Sequence, residues 1–112
     1  MIEQIIRDYL STVLTVPVVT ERMQNPPSRY CIIERTSENC ANYLRTAAIA
    51  IQTYAESMYE AAKLCETVIT EMEGLKAVDA VSGVWYETSY NFTDGTSGQY
   101  RYQAVIKVAY LM

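Results

Sequence analysis

The sequence predicts an α+β fold in which an antiparallel sheet of about four to five strands packs against two helices on one face. Two stretches carry apolar residues at the three- and four-residue steps of an amphipathic helix, and several others alternate apolar with polar residues as strands do. These stretches follow one another as helix, strand, hairpin, helix and hairpin, an order typical of this fold class. We interpret residues 1–112 as a single domain, because a chain of this length is the size of one domain.

Residues 2–14 and 53–74 predict the two helices. In each of them the apolar side chains form one stripe, and polar or charged side chains fill the opposite face. Thr53 and Glu56 have the spacing of a capping box, in which the side chains satisfy backbone N–H groups of the first turn. Gly74 is expected to end the second helix in the left-handed conformation. At about 1.5 Å per residue, this helix is long enough to cross a small sheet.

Alternating and β-branched residues predict five strands, the first of them short. Pro17 lies in the first strand and cannot donate to a β-ladder, which favours an edge position or a strand start. Residues 37–42 are predicted to form the connection of one hairpin, and the glycine-containing residues 93–99 the loop of a second. The pattern leaves the state of residues 75–83 open. The predicted strands are residues 16–20, 30–36, 43–52, 84–92 and 100–110.

The charge balance argues against a protein that grips phosphate groups. The net charge is -4 and the pI is near 4.7, and the nine basic residues are scattered along the chain. No apolar run approaches the roughly 18 residues that a membrane-spanning helix needs, and the N-terminus lacks the pattern of a signal peptide. We therefore expect no membrane association and a cytosolic location in the cell that makes the protein.

The sequence offers little reactive chemistry. It contains no histidine, which excludes Ser-His and Cys-His couples and removes the commonest transition-metal ligand. Cys31 is expected in a strand and Cys65 on the apolar stripe of the second helix, so that only Cys40, near the hairpin tip, is expected to react. We predict a protein that is not an enzyme, with no catalytic residues, no cofactor and no metal site.

Ten tyrosines and one tryptophan are the unusual feature of the composition. Tyrosine is enriched at protein interfaces, it can stack on nucleic-acid bases, and it also packs within sheets. Base stacking would need accompanying positive charge, and we favour an interface over it. Simple packing within the sheet stays open as a third interpretation. The basic residues on or beside the strands are Arg29, Arg35, Arg45, Arg101 and Lys107.

The order of several segments resembles that of the tail terminator, or tail-completion, proteins of long-tailed bacteriophages and prophages. The resemblance spans nearly the whole chain. Its motifs are patterns of element order and residue type and include no catalytic signature. The segments are IEQIIRDYLSTVL, a short VPV strand, a proline-bearing loop before RYCIIERT, a second strand that leads into the helix YAESMYEAAKLCETV, and a closing pair that ends in RYQAVIKV.

The resemblance implies a virion protein without enzymatic activity that assembles in the bacterial cytoplasm. Such proteins form a homo-oligomeric ring, commonly a hexamer, that caps the head-proximal end of the tail tube. The ring ends tube growth and offers a joining surface to the head-tail connector or another neck protein. DNA passes through the ring without specific binding, which an acidic wall would favour. Alternatives are another neck protein, such as a connector or stopper, or a small nucleic-acid-binding module.

The predicted loops are the expected contact regions in such a ring. Residues 21–28, 37–42 and 93–99 are polar and long enough to meet a neighbouring subunit or the tube. We therefore predict interface residues within these three segments. They are Glu21, Arg22, Ser37, Glu38, Asn39, Asn42, Thr93, Asp94 and Gln99.

Overall fold

A five-stranded sheet with two helices on one face confirms the predicted fold class. The computed structural model describes residues 2–93, 95 and 99–111. Its elements are α1 (Ile2–Val13), β1 (Val18–Val19), β2 (Tyr30–Ala41), β3 (Leu44–Ala55), α2 (Met58–Met72), a 3₁₀ helix (Glu73–Ala77), β4 (Val81–Asn91) and β5 (Tyr100–Leu111). The strand order across the sheet is β1-β2-β3-β5-β4, so β1 and β4 lie at its two edges.

The short strand β1 lies at an edge, as expected from Pro17, but it runs parallel to β2. Its two residues pair with Cys31 and Ile32, and the Cys31 N–H donates to the Pro17 carbonyl at 2.9 Å. All other neighbouring strands pair antiparallel. Because β1 ends at Val19, no described strand covers the outer edge of β2 beyond Ile32.

The hairpin of β2 and β3 has a shorter turn than the sequence predicts. β2 continues to Ala41, and the chain reverses at Asn42 and Tyr43, which have φ angles of 53° and 67°. Two successive residues with positive φ are typical of a two-residue type I′ turn, whose twist matches that of the flanking strands. The predicted loop over residues 37–42 is therefore wrong.

Strand pairing overrides the turn-like composition of this segment. Ser37, Glu38 and Asn39 each pair in register with a residue of β3, after a bulge between Arg35 and Ser37. β3 is itself fixed on its other side by β5, so it offers a complete ladder to any residue opposite it. Serine and asparagine favour turns only weakly in comparison with such pairing.

The second helix begins later than predicted. Thr53 belongs to β3, and the N-cap is Ser57, whose side chain accepts a hydrogen bond from the Glu60 N–H at 3.1 Å. Ser57 and Glu60 also have the capping-box spacing, so the motif exists four residues further along than expected. The Thr53 hydroxyl instead donates to the Ala61 carbonyl at 3.0 Å, and this bond fastens α2 to β3.

A tyrosine from α1 closes the end of α2. The left-handed cap predicted at Gly74 is wrong, because α2 continues into the 3₁₀ helix that contains this glycine. The Tyr9 hydroxyl donates to the Glu71 carbonyl at 2.8 Å. A Cβ atom on Gly74 would overlap that hydroxyl oxygen. The glycine therefore provides the space for a contact between the two helices.

The core lies between the helices and the facing side of the sheet. Residues at alternate positions of β3 and β5 point into it and meet the apolar stripes of α1 and α2, as the periodicity predicts. The largest fully buried apolar side chains are Ile2, Ile6, Leu10, Ile33, Ile49, Ile51, Val68, Met72, Leu75, Ile106 and Val108.

The three cysteines lie where the sequence predicts. Cys31 and Cys65 are buried in the core, and Cys40 is exposed near the end of β2. Burial raises the pKa of the Cys31 thiol to about 12 and that of Cys65 to about 11. Since the thiolate is the reactive form, these two thiols are inert at neutral pH. The reactivity of Cys40 stays a prediction.

A β-bulge at Glu87 divides β4 into two parts. Tyr86 pairs with Ile106 of β5, and Thr88 pairs with the adjacent Val105. Adjacent residues of a strand face opposite sides of the sheet. Tyr86 therefore lies on the helix side, whereas Thr88 and Tyr90 lie on the open face, the side of the sheet away from the helices. The single alternation predicted over residues 84–92 is wrong beyond Tyr86.

Candidate protein interface

The predicted interface residues lie in two groups at opposite ends of the long strands. Thr93 and Gln99 flank the loop between β4 and β5, at the end where β2 begins, and the Tyr30 hydroxyl donates to Gln99 Oε1 at 3.5 Å. The other end of β2 and its turn carry Ser37, Glu38, Asn39 and Asn42. The structure therefore does not bring the predicted residues together into one surface.

Glu21 and Arg22 are exposed in the segment between β1 and β2. The pKa of Tyr30 is raised by burial and by Tyr54, and the charges of Arg22 and Arg101 act in the opposite direction, which places Arg22 near the start of β2. Arg22 thus joins the group that contains Gln99, whereas Glu21 lies beside Ile33 and Glu34 of β2. Asp94 lies outside the described residues.

Glu38 is part of an ion-pair network on the helix side of the sheet. Its carboxylate accepts a hydrogen bond from the Tyr110 hydroxyl and lies 3.4 Å from Arg35 Nη1 and 3.5 Å from Arg45 Nη1. The Tyr110 bond is the largest cause that lowers the pKa of Glu38, and the two arginines add to it. The side chain therefore stabilises the hairpin itself, whatever contact it makes with another molecule.

We expect Glu38→Gln to destabilise the protein at neutral pH and to matter less in acid. The folded-state pKa of this carboxyl group lies below its ordinary value of 4.5. Its contribution is therefore present above that value and is lost as the pH falls through the folded-state pKa. Urea unfolding of wild type and variant from about pH 7 to about pH 3 measures this, and the difference in unfolding free energy should shrink toward acid.

Glu66→Gln is the matched control for this experiment. Glu66 is an exposed carboxylate on α2 that forms no ion pair with the described residues. Its substitution should leave the pH dependence of stability close to that of the wild type. A difference between wild type and Glu38→Gln that stays constant across the pH range would contradict a role for the Glu38 charge.

A row of aromatic rings and one guanidinium group crosses the open face. Tyr30 and Tyr54 stack with their ring centroids 4.4 Å apart and their planes inclined by 3°. The Arg101 guanidinium lies 5.6 Å from the Tyr54 centroid and 4.4 Å from that of Phe92. Phe92 then meets Tyr90 edge to face at 5.9 Å. The row therefore reaches from β2 to the end of β4.

This row explains part of the tyrosine content as packing within the sheet. Tyr30 and Tyr54 are each 4% exposed, and Met23 packs against them from the segment before β2. Arg101 donates to the Tyr54 hydroxyl at 3.0 Å and to the Phe92 carbonyl at 2.7 Å. The stacked tyrosine rings are therefore not free for another molecule, and hydrogen bonds hold the Arg101 guanidinium within the row.

A second set of aromatic side chains is exposed along the outermost hairpin. Glu87 is the only charged residue in residues 81–92, and Lys107 of β5 lies 3.3 Å from its carboxylate. Large aromatic side chains with little charge around them are typical of the centres of protein interfaces. We define the aromatic edge as the members of this set, which are 40–54% exposed: Trp85, Tyr86, Tyr90, Phe92 and Tyr100.

Trp85 is the most exposed member of the aromatic edge. The far end of its indole ring occupies the space that a side chain at Gly83 would need, since a Cβ there would lie 2.6 Å from Cη2. The remainder of the ring is open to solvent, and the side chain is 54% exposed. Among the described residues, the indole N–H has no acceptor.

The opposite edge of the sheet is charged and contains a cavity. Glu21 and Glu34 form no ion pair with the described residues, and Glu3 Oε1 is buried without a hydrogen-bond donor among them. The other oxygen of the Glu3 carboxylate, Oε2, lies 3.7 Å from Arg35 Nε, and Glu21 and Glu34 are exposed to solvent. We define the notch as this cavity of about 350 Å³, lined by Glu3, Gln4, Arg7, Thr20, Glu21, Ile33, Glu34 and Arg35.

The described residues provide neither a metal site nor a membrane-spanning helix. Across residues 2–93, 95 and 99–111, no group of three or more His, Cys, Asp or Glu side chains is placed to hold a metal ion. No helix in the described part of the chain is long and apolar enough to cross a membrane.

Comparisons with known proteins do not assign a family. No protein-family model matches the chain, and no curated protein matches it significantly. The open face, the aromatic edge and the notch are therefore the features from which its function has to be argued.

Proposed function

We propose that the protein is a structural subunit of a bacteriophage tail and acts as the tail terminator. Copies of it form a ring on the head-proximal end of the tail tube, end tube growth and present a joining surface for the neck of the head. A tube of identical subunits exposes the same growing edge at every step. Its growth therefore stops only when a different protein matches that edge on one side and does not offer it again on the other.

The observation that carries this proposal is the difference between the two edges of the sheet. One edge presents the aromatic side chains of β4, and the other presents the charged end of β2 and the notch. A subunit whose opposite sides differ joins its neighbours head to tail, and head-to-tail contacts generate rings when the rotation between copies closes.

The order of elements also supports the proposal. The segments on which the resemblance to tail terminators rests become, in chain order, α1, β1, β2, β3, α2, β4 and β5.

A nucleic-acid-binding module is the rival from another class. It would need exposed rings beside free positive charge. Tyr30 and Tyr54 stack on each other, Arg101 is hydrogen-bonded within the same row, and the net charge of the chain is -4. These observations favour a ring through which DNA passes without being held.

Adding the purified protein to polymerising tail-tube protein tests the proposal. We expect tubes to stop growing, their mean length to fall as more protein is added, and electron microscopy to show one ring at one end of each tube. If tube length were unchanged and the protein bound isolated heads, its function would be that of a connector or stopper instead of a terminator. Micromolar, salt-sensitive binding of DNA in a filter assay would favour the nucleic-acid rival.

A further inference from the structure

We propose that the aromatic edge of one copy docks on the notch of the next copy, with the Trp85 indole inserted into the notch. This inference rests on the proposed function, and it adds the residues through which the subunits join.

The positions of the two surfaces suit a repeating contact. The aromatic edge belongs to the hairpin of β4 and β5, with β4 outermost, and the notch lies on the β1 and β2 side, at the opposite edge of the sheet. When the aromatic edge of one copy occupies the notch of another, the pair still has one free aromatic edge and one free notch. Further copies add in the same way until the ring closes.

The hydrogen-bonding groups of the two surfaces are complementary. The Trp85 indole is a donor without an acceptor among the described residues, and the aromatic edge also carries tyrosine hydroxyls. The notch offers acceptors, because Glu3 Oε1 is buried without a donor among the described residues and the exposed Glu21 and Glu34 carboxylates form no ion pair with those residues. A buried acceptor without a donor is costly, so a neutral donor that enters the notch removes that cost.

The notch also fits an aromatic ring in size and character. Its volume of about 350 Å³ lies within the range of pockets that hold small organic groups. Arg7 and Arg35 line it, and guanidinium groups stack well on the face of an indole. Tryptophan, tyrosine and arginine are also the residue types that most often dominate the energy of an interface.

A second copy fits this contact better than an added β-strand from another partner. The free part of β2 carries Glu34, Arg35 and Glu38 and has a bulge after Arg35, features that prevent edge-to-edge strand pairing. The contact at this edge therefore uses side chains. The matching side chains, aromatic and nearly uncharged, lie on the other edge of the same chain.

Two variants, each with one broken surface, test the proposal. Trp85→Ser removes the most exposed side chain of the aromatic edge and leaves the notch intact. The double variant Glu21→Lys, Glu34→Lys changes the notch and leaves the aromatic edge intact. Each variant alone is expected to self-associate roughly thirtyfold more weakly than wild type in light scattering. Tyr59→Ser, an exposed aromatic on α2 outside both surfaces, should associate like wild type.

Mixing the two variants distinguishes a head-to-tail contact from a symmetric one. The intact notch of Trp85→Ser and the intact edge of the double variant can form one interface, so an equimolar mixture should give dimers and nothing larger. Trp85 of the double variant is then the only tryptophan present. Its fluorescence emission should move to shorter wavelength when the tryptophan-free variant is added, because the indole leaves water.

Several outcomes would overturn the proposal. One is that either variant self-associates as strongly as wild type. Another is that the mixture stays monomeric and its tryptophan emission does not shift. The third is that folded wild type does not self-associate. Circular dichroism establishes that both variants are folded. If wild type and Trp85→Ser both form rings and stop tubes, the contact is wrong and the proposed function stands. If the mixture forms dimers and wild type leaves tubes unchanged, the contact stands and the function fails.

Discussion

Ile106→Ala is expected to lower the free energy of unfolding by about 2–5 kcal/mol. Ile106 is fully buried in β5, where it pairs with Ile49 of β3 on one side and Tyr86 of β4 on the other. Its truncation removes apolar burial and leaves a cavity that the paired strands cannot close. Urea unfolding followed by far-ultraviolet circular dichroism measures the change.

Leu111→Ala is the matched control on the same strand. Leu111 is 57% exposed at the end of β5, so its truncation should change stability by less than about 0.5 kcal/mol. Equal effects of the two substitutions would contradict the position of the core between the sheet and the helices.

Gly74→Ala is expected to lower the free energy of unfolding by about 1–3 kcal/mol, because the new methyl group overlaps the Tyr9 hydroxyl. The tyrosine must then move, and its bond to the Glu71 carbonyl is lost. Tyr9→Phe removes that hydroxyl in advance. In the Tyr9→Phe background, Gly74→Ala should therefore lower the unfolding free energy much less. The unfolding free energies of wild type, the two single variants and the double variant form a double-mutant cycle. Additive effects would show that the two residues do not share this space.

The amphipathic patterns predict the elements better than their ends. The stripe of α1 and the alternation of β5 each match the buried residues found in the structure. The errors lie at the ends of β2, β3 and α2 and at the bulge in β4. Thr53 and the segment 37–42 have local preferences for a cap and a turn, but both lie opposite strands that are already fixed, and pairing there decides the outcome.

The candidate interface is only partly visible in the sequence. The loop argument selects Glu21, which lines the notch, but it also selects Glu38, which stabilises the hairpin. The aromatic edge depends on the strand order, which places β4 outermost, and on the bulge at Glu87. Neither follows from local periodicity. The available signal was the near absence of charge in residues 81–92, which is unusual for an unprotected edge strand.

The notch could not be predicted, because it is assembled from distant parts of the chain. Its walls come from α1, from the residues after β1 and from β2, and its position depends on the parallel addition of β1. A short strand that contains proline does not reveal whether it will pair parallel or antiparallel. The unpaired carboxylates there read in the sequence as ordinary surface charge.

The mass of the purified protein in solution, measured by light scattering over a rising concentration series and followed by negative-stain imaging, tests the central claim most directly. A subunit with different edges that joins head to tail should give closed rings of one size. Open filaments of increasing mass, or a protein that stays monomeric at every concentration and also forms no ring on added tail tubes, would contradict a ring-forming terminator.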